Sequence, residues 1–205
     1  MNWISKITCA GFVAAMLLMN GCAQPPAEQL EAAHKAVNAA RAAEAATYAK
    51  DDLAKLEQQF ILAKDELAKQ EKVFSIFRSY SDVEKMLIKV VEDGGHVAAK
   101  AAQDKEAAKT AALAVEQEAR QAVASAKELM AKAPTGKERA AVETIKQDLG
   151  GLETSLSAVH QSIEKGDYLG AEAQAKALKE KGAAVSGEIQ NAIDKTKGKK
   201  RTSRR

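Results

Sequence analysis

Val142-Glu143-Thr144-Ile145-Lys146-Gln147-Asp148-Leu149-Gly150-Gly151-Leu152-Glu153-Thr154-Ser155-Leu156-Ser157-Ala158-Val159-His160-Gln161-Ser162-Ile163 decides the fold. Its apolar seam, Val142, Ile145, Leu149, Leu152, Leu156, Val159 and Ile163, advances in alternating steps of three and four. That period places the seven side chains on one stripe of an α-helix and predicts a coiled-coil-like contact. An earlier stretch keeps the same rhythm: Leu53, Leu56, Phe60, Ala63, Leu67, Gln70 and Phe74 each stand 89 residues before a counterpart. Both seams lead to a short break with a tyrosine, Arg78-Ser79-Tyr80-Ser81-Asp82 in one case and Lys165-Gly166-Asp167-Tyr168 in the other.

A second seam follows each break. Tyr80, Val83, Leu87, Val90, Gly94, Val97 and Ala101 match Tyr168, Ala171, Ala175, Leu178, Gly182, Val185 and Ile189 with an offset of 88. A fixed offset along two successive helices reads as a duplicated helical hairpin; superposition of two alanine-rich heptad runs by composition alone is the alternative. Gly166 suits the position just past a helix end and Asp167 an N-cap, and Ser81 with Glu84 reads as a capping box. The expected fold is all-α: an elongated antiparallel helical bundle, coiled-coil-like, with two duplicated helical hairpins plus an N-terminal helix.

Around these hairpins, Leu30, Ala33, Val37 and Ala40 predict the N-terminal helix over about 27–46. A third helix is expected from Ser81 to Lys132, roughly 75–80 Å at 1.5 Å per residue. Gly94-Gly95 would be its weak point, at about 1 kcal/mol per glycine relative to alanine. Ala133-Pro134-Thr135-Gly136 ends it, because proline cannot continue a helix. Helix four is expected over 137–165 and helix five over 167–195. The domain organisation that follows is a signal peptide (1–21), a linker (22–29), N-terminal helices with the first hairpin and the long helix (30–132), a second hairpin (137–195) and a basic disordered tail (196–205).

The chain is 46% hydrophobic but only 4% aromatic, and its one tryptophan is Trp3. Alanine supplies much of the apolar fraction; it favours helix and buries little area, so thin, close-packed cores are expected. Residues 1–21 hold one charge, Lys6, and Ile7–Met19 is nearly all apolar or small. This is the layout of a secretory signal, and the run is short for a transmembrane helix, which needs about 20 apolar residues. An uncleaved N-terminal anchor is the other reading.

Leu18-Met19-Asn20-Gly21-Cys22 resembles the lipobox of bacterial lipoproteins. Gly21 and Cys22 carry the likeness, with Met19 where leucine is preferred and Asn20 where a small residue is usual. The resemblance implies cleavage between Gly21 and Cys22, diacylglycerol on the Cys22 sulfur and acylation of the freed amine. It also implies, from Ala23 in place of aspartate, sorting to the outer membrane with the body facing the periplasm. Cysteine usage agrees: Cys9 would leave with the signal, and the remaining lone thiol needs an explanation, either acylation or a free exported thiol.

A second resemblance covers about residues 26–110. Pro26, Leu30, Ala33, Ala36-Val37, Ala40-Arg41, Ala43, Ala45, Tyr48-Ala49 and Asp52-Leu53 are similar in pattern to an alanine-rich helical domain of unknown function. That domain occurs in bacterial lipoproteins, sometimes ahead of an OmpA-like peptidoglycan-binding domain. Lys50 stands where the pattern has proline. The resemblance implies no catalytic residues.

Charge divides along the chain. Without residues 1–21 it holds 30 basic and 28 acidic residues, and seven of the basic ones lie in 195–205, which has no acid. The body is mildly acidic and the tail basic. Lys197, Lys199, Lys200, Arg201, Arg204 and Arg205 are candidate contacts to an anionic envelope polymer or lipid surface, peptidoglycan or lipopolysaccharide among them, at about 1 kcal/mol per cation near a charged membrane. A solubilising end is the competing reading. A docking role would show as salt-sensitive binding to purified sacculi that is lost on deleting 197–205. Nucleic acid is not an expected partner, since an exported chain would not meet it.

No catalytic constellation emerges. His34, His96 and His160 fall on three different helices with no metal-ligand spacing, so no metal and no cofactor are expected. Gly150-Gly151 lacks the strand and lysine of a phosphate loop and reads as a helix interruption or a close contact. Lysines and carboxylates alternate at three and four residues, as on a solvated helix face. Tyr48, Tyr80 and Tyr168 sit at helix joints as packing pegs. The expected role is a structural, scaffold or interaction lipoprotein rather than an enzyme. Its partners would be the membrane through the lipid anchor and an envelope protein or anionic polymer, with closure of the seams between copies as a route to a homo-oligomer.

Overall fold

A computed structural model of the chain describes residues 24–133 and 139–202, the side chains of 139–141 and 196–202 excepted. The described residues form α1 (Ala27–Ala42), α2 (Ala45–Tyr48), α3 (Lys50–Lys72), a 3-10 turn (Ser75–Phe77), α4 (Ser81–Met130), α5 (Arg139–Glu164) and α6 (Tyr168–Thr202), with no strand among them. The chain is all-α. It divides into two compact units within α4, one ending at Asp104 and the other starting at Lys105. The sequence places that division at the Ala133–Gly136 break instead. α4 is continuous across residues 104 and 105, with no glycine or proline between 96 and 130, while its two halves line different cores.

In the first unit, α1, α3 and the first half of α4 surround Val37, Leu56, Val83, Leu87 and Val90, all essentially sealed from solvent. In the second, the later half of α4 joins α5 and α6 around Val123, Leu149, Val159, Leu178 and Ile189. Each large aliphatic side chain buried this way contributes about 1.5–3 kcal/mol. The seam positions read from the sequence are those that point inward, with two departures. Phe74 lies outside α3 and is exposed, and Gln70 is half-buried, donating to Glu66 at 3.1 Å.

The duplication extends beyond the hairpins to a third helix. Ala33, Val37 and Ala40 of α1 recur as Ala119, Val123 and Ala126 of α4, each 86 residues on, and all six are buried. The glycines agree. A Cβ on Gly94 would stand 2.8 Å from Ala36 Cβ, and one on Gly182 would stand 3.1 Å from Ala122 Cβ. Ala36 and Ala122 are again 86 residues apart, so the same close glycine–alanine approach is built twice.

Helix ends follow local chemistry. α5 closes with a Schellman motif: Gly166, at φ 83°, donates to Ile163 O at 3.0 Å, and Asp167 N–H donates to Ser162 O at 3.0 Å. Asp167 then caps α6, accepting from Gly170 N–H at 3.0 Å. At the other break the capping position is Tyr80 rather than Ser81, for Glu84 N–H donates to the Tyr80 carbonyl at 2.8 Å. α1 ends four residues before the expected Ala46, at a left-handed Glu44 with φ 61°. Gly150 and Gly151 neither interrupt α5 nor mark a contact, since a Cβ on either meets nothing within 4 Å. α6 stays helical to Thr202, seven residues past the expected end at 195 and across most of the basic stretch. Lysine and arginine are good helix formers and favour the negative end of a helix dipole.

Candidate functional site

The residues that the sequence singles out lie largely beyond the described structure. Gly21 and Cys22 precede residue 24, and Arg204 and Arg205 follow residue 202. Lys197, Lys199, Lys200 and Arg201 are on the helical backbone of α6, with their side chains outside the described set. The three histidines are exposed and are not brought together. His34 lies 6.1 Å from the Phe60 ring, His96 borders a groove in the first unit, and His160 belongs to the second unit. Among the described residues no three His, Cys, Asp or Glu side chains converge as a metal site would require.

Two grooves hold the densest polar chemistry. One, of about 400 Å³, runs between α3 and the first half of α4, lined by Asp52, Lys55, Gln59, Asp93, His96 and Lys100 above Leu56 and Val97. Lys100 Nζ stands 3.0 Å from Asp52 and 3.2 Å from Asp104, and Asp93 is held at 3.0 Å by Lys89. The hydrogen bond from Lys100, then its charge, holds the Asp52 carboxyl below its usual range. Hydrogen bonds to Asp52 and Asp104 raise Lys100 in turn. Both shifts favour the charged forms, away from the near-neutral values that proton transfer uses. One ion pair, Lys100–Asp52, crosses between the helices, and the others run along a single helix.

The second groove, of about 620 Å³, lies between α4 and α5, and Glu116 is beside it. Glu116 is 5% exposed, the buried charged side chain among the described residues. It accepts from Arg120 at 2.6 Å and lies 3.1 Å from His160 Nδ1, while His160 Nε2 is 3.5 Å from Glu164. Ser157 lines the same groove, but both ring nitrogens of His160 face carboxylates, which leaves none to activate a hydroxyl. Leu30 stands at the position equivalent to Glu116 in the first unit.

A third feature escaped the sequence reading. Phe74, Ile76 and Phe77 surround the 3-10 turn between α3 and α4, exposed to 71%, 74% and 74%. Phe74 fits the heptad arithmetic, which hid it. The available signal was compositional, two of four phenylalanines within a single turn of an aromatic-poor chain. No family model matches the chain, and neither curated proteins nor solved structures give a match.

Proposed function

We propose that this chain is a lipoprotein of the outer membrane, acylated at Cys22 and facing the periplasm, with a structural or interaction role in the envelope and no catalysis. The observation that carries the reading is the order of features in residues 1–22: Lys6, an apolar run to Met19, then Gly21-Cys22. The described body fits a passive role. Its polar side chains are spent on lysine–carboxylate pairs along and between helices, such as Lys127–Glu153 at 2.6 Å and Lys179–Glu118 at 2.7 Å. Among the described residues no helix is long and apolar enough to cross a membrane, so membrane attachment in this reading depends on the acyl chains. Stable attachment needs more than one chain, at about 0.8 kcal/mol per buried CH₂. Radioactive palmitate tests it: label is expected in the wild-type chain and absent from Cys22→Ser, and equal label in both would sink the anchor.

A further inference from the structure

The turn between α3 and α4 holds apolar side chains in water by construction. α3 stops at Lys72, Val73 and Phe74 are extended, and Ser75–Phe77 form the 3-10 turn. The backbone on either side is tied down. The Arg78 guanidinium donates to Glu71 O at 2.8 Å and Val73 O at 3.0 Å, Ser79 N–H donates to Gln70 Oε1 at 3.3 Å, and Tyr80 is buried. The duplicated unit shows the alternative. There the residue matching Phe74 is Ile163, buried inside α5, and the turn is the polar Lys165-Gly166-Asp167. The first unit has withdrawn an aromatic ring from a core position and set two more large apolar side chains beside it.

The position of the turn says what it meets. α1 and α3 are antiparallel: Arg41 pairs with Glu57 at 2.7 Å, and one helical stretch along, His34 faces Phe60. Continued to Ala27, these pairs reach about residues 67–71 in the last turns of α3, so the turn lies at the end of the unit where α1 begins. Three residues separate Cys22 from Pro26, four Cα steps with a reach of at most about 14 Å. Charge around the turn is balanced, Lys69, Lys72 and Arg78 against Glu66, Glu71 and Asp82, with Lys69 paired to Glu66 at 3.2 Å.

We propose that Phe74, Ile76 and Phe77 form a wedge that enters the interfacial layer of a phospholipid bilayer beside the acylated Cys22. The choice of a bilayer as occupant rests on the lipid-anchor reading of Cys22. An exposed apolar tip on a tied backbone suits insertion at the boundary between headgroups and acyl chains. A second contact beside the acyl chains would fix how the first unit stands on the membrane, which a three-residue tether alone would leave free.

The chain's lone tryptophan makes a direct test available. In the full chain with Trp3→Phe, a Phe77→Trp change places a single indole on the turn, and Leu169→Trp places one beside the equivalent turn of the second unit, at a site 46% exposed. Each protein is reconstituted into phosphatidylethanolamine–phosphatidylglycerol vesicles whose acyl chains carry bromine, and the mass at Cys22 is measured on the same sample. The wedge predicts a blue-shifted emission and several-fold stronger bromine quenching for Trp at 77 than at 169. Phe74→Trp repeats the reading should Phe77→Trp fail to fold. Unshifted, unquenched emission from protein that carries lipid at Cys22 overturns the wedge. A blue shift that grows with protein concentration in the absence of vesicles also overturns it, in favour of contact between copies. Quenching at 77 without lipid at Cys22 supports the wedge and removes the anchor reading instead.

Discussion

Gly94 and Gly95 are adjacent on α4 and have opposite roles. A Cβ on Gly94 would collide with Ala36, whereas one on Gly95 meets nothing within 4 Å. Gly95→Ala is therefore expected to stabilise the first unit by about 1 kcal/mol through helix propensity. Gly94→Ala adds a methyl to a filled contact; overpacking costs about 1–3 kcal/mol and outweighs that gain. Urea melts of the two variants should move in opposite directions, and parallel shifts would mean that the α1–α4 approach is looser than described. Asp52 and Lys100 give a residue-scale test of charge. Asp52 is held below 3.8, so its contribution is present above that pH and is lost as pH falls through the lowered value. Lys100 is held above 10.5, so its share is present below that pH and is lost as pH rises through the raised value. Lys100 is exposed and Asp52 half-buried at the groove, so solvent screening keeps the effect small. Asp52→Asn should lower the melting temperature slightly at neutral pH and leave it unchanged well below pH 3.8. An equal loss under both conditions would assign the residue's part to shape.

At the scale of elements, the strongly apolar seams were legible in the sequence because Leu, Ile and Val leave an unambiguous period. Leu53, Leu56, Leu149, Leu152 and Val159 all point inward. The later half of α4 was not recognised as the first helix of a second unit. Its inward positions other than Val123 are mostly alanines within an alanine-rich run, Ala108, Ala112, Ala119 and Ala126, and a small side chain looks the same on either face. Only Glu116 among them is charged, where α1 has Leu30. Glu116→Leu should thus be neutral or stabilising, by up to about 1–4 kcal/mol, as when buried ion pairs give way to apolar residues. Arg120 and His160, each about half exposed, can be hydrated once the carboxylate is gone. A loss of more than about 1 kcal/mol in thermal melts would show that the Glu116 network holds α4 to α5. The end of α3 was also illegible. Phe74 keeps the heptad rhythm, and the helix stops because Arg78 and Gln70 hold the following backbone in a different form.

For the whole molecule, one three-helix pattern written twice accounts for the two cores, the paired glycine–alanine contacts and the continuous α4 that serves both units. The copies have diverged where function would be placed. One turn is apolar and tightly tied, the other polar and glycine-closed, and the apolar one faces the end of the chain that leads back to Cys22. Among the described residues no three His, Cys, Asp or Glu side chains converge as a metal site would require. In the proposed reading the chemistry is done to the chain at its N-terminus, and the rest follows from being held at a membrane. Mass spectrometry of the N-terminal peptide, taken from protein extracted from membranes, examines this at its source. The expected peptide begins at Cys22 and bears a diacylglyceryl group and an amide-linked acyl chain. A peptide that retains Met1–Gly21, or one that starts at or before Cys22 with an unmodified thiol, would contradict it.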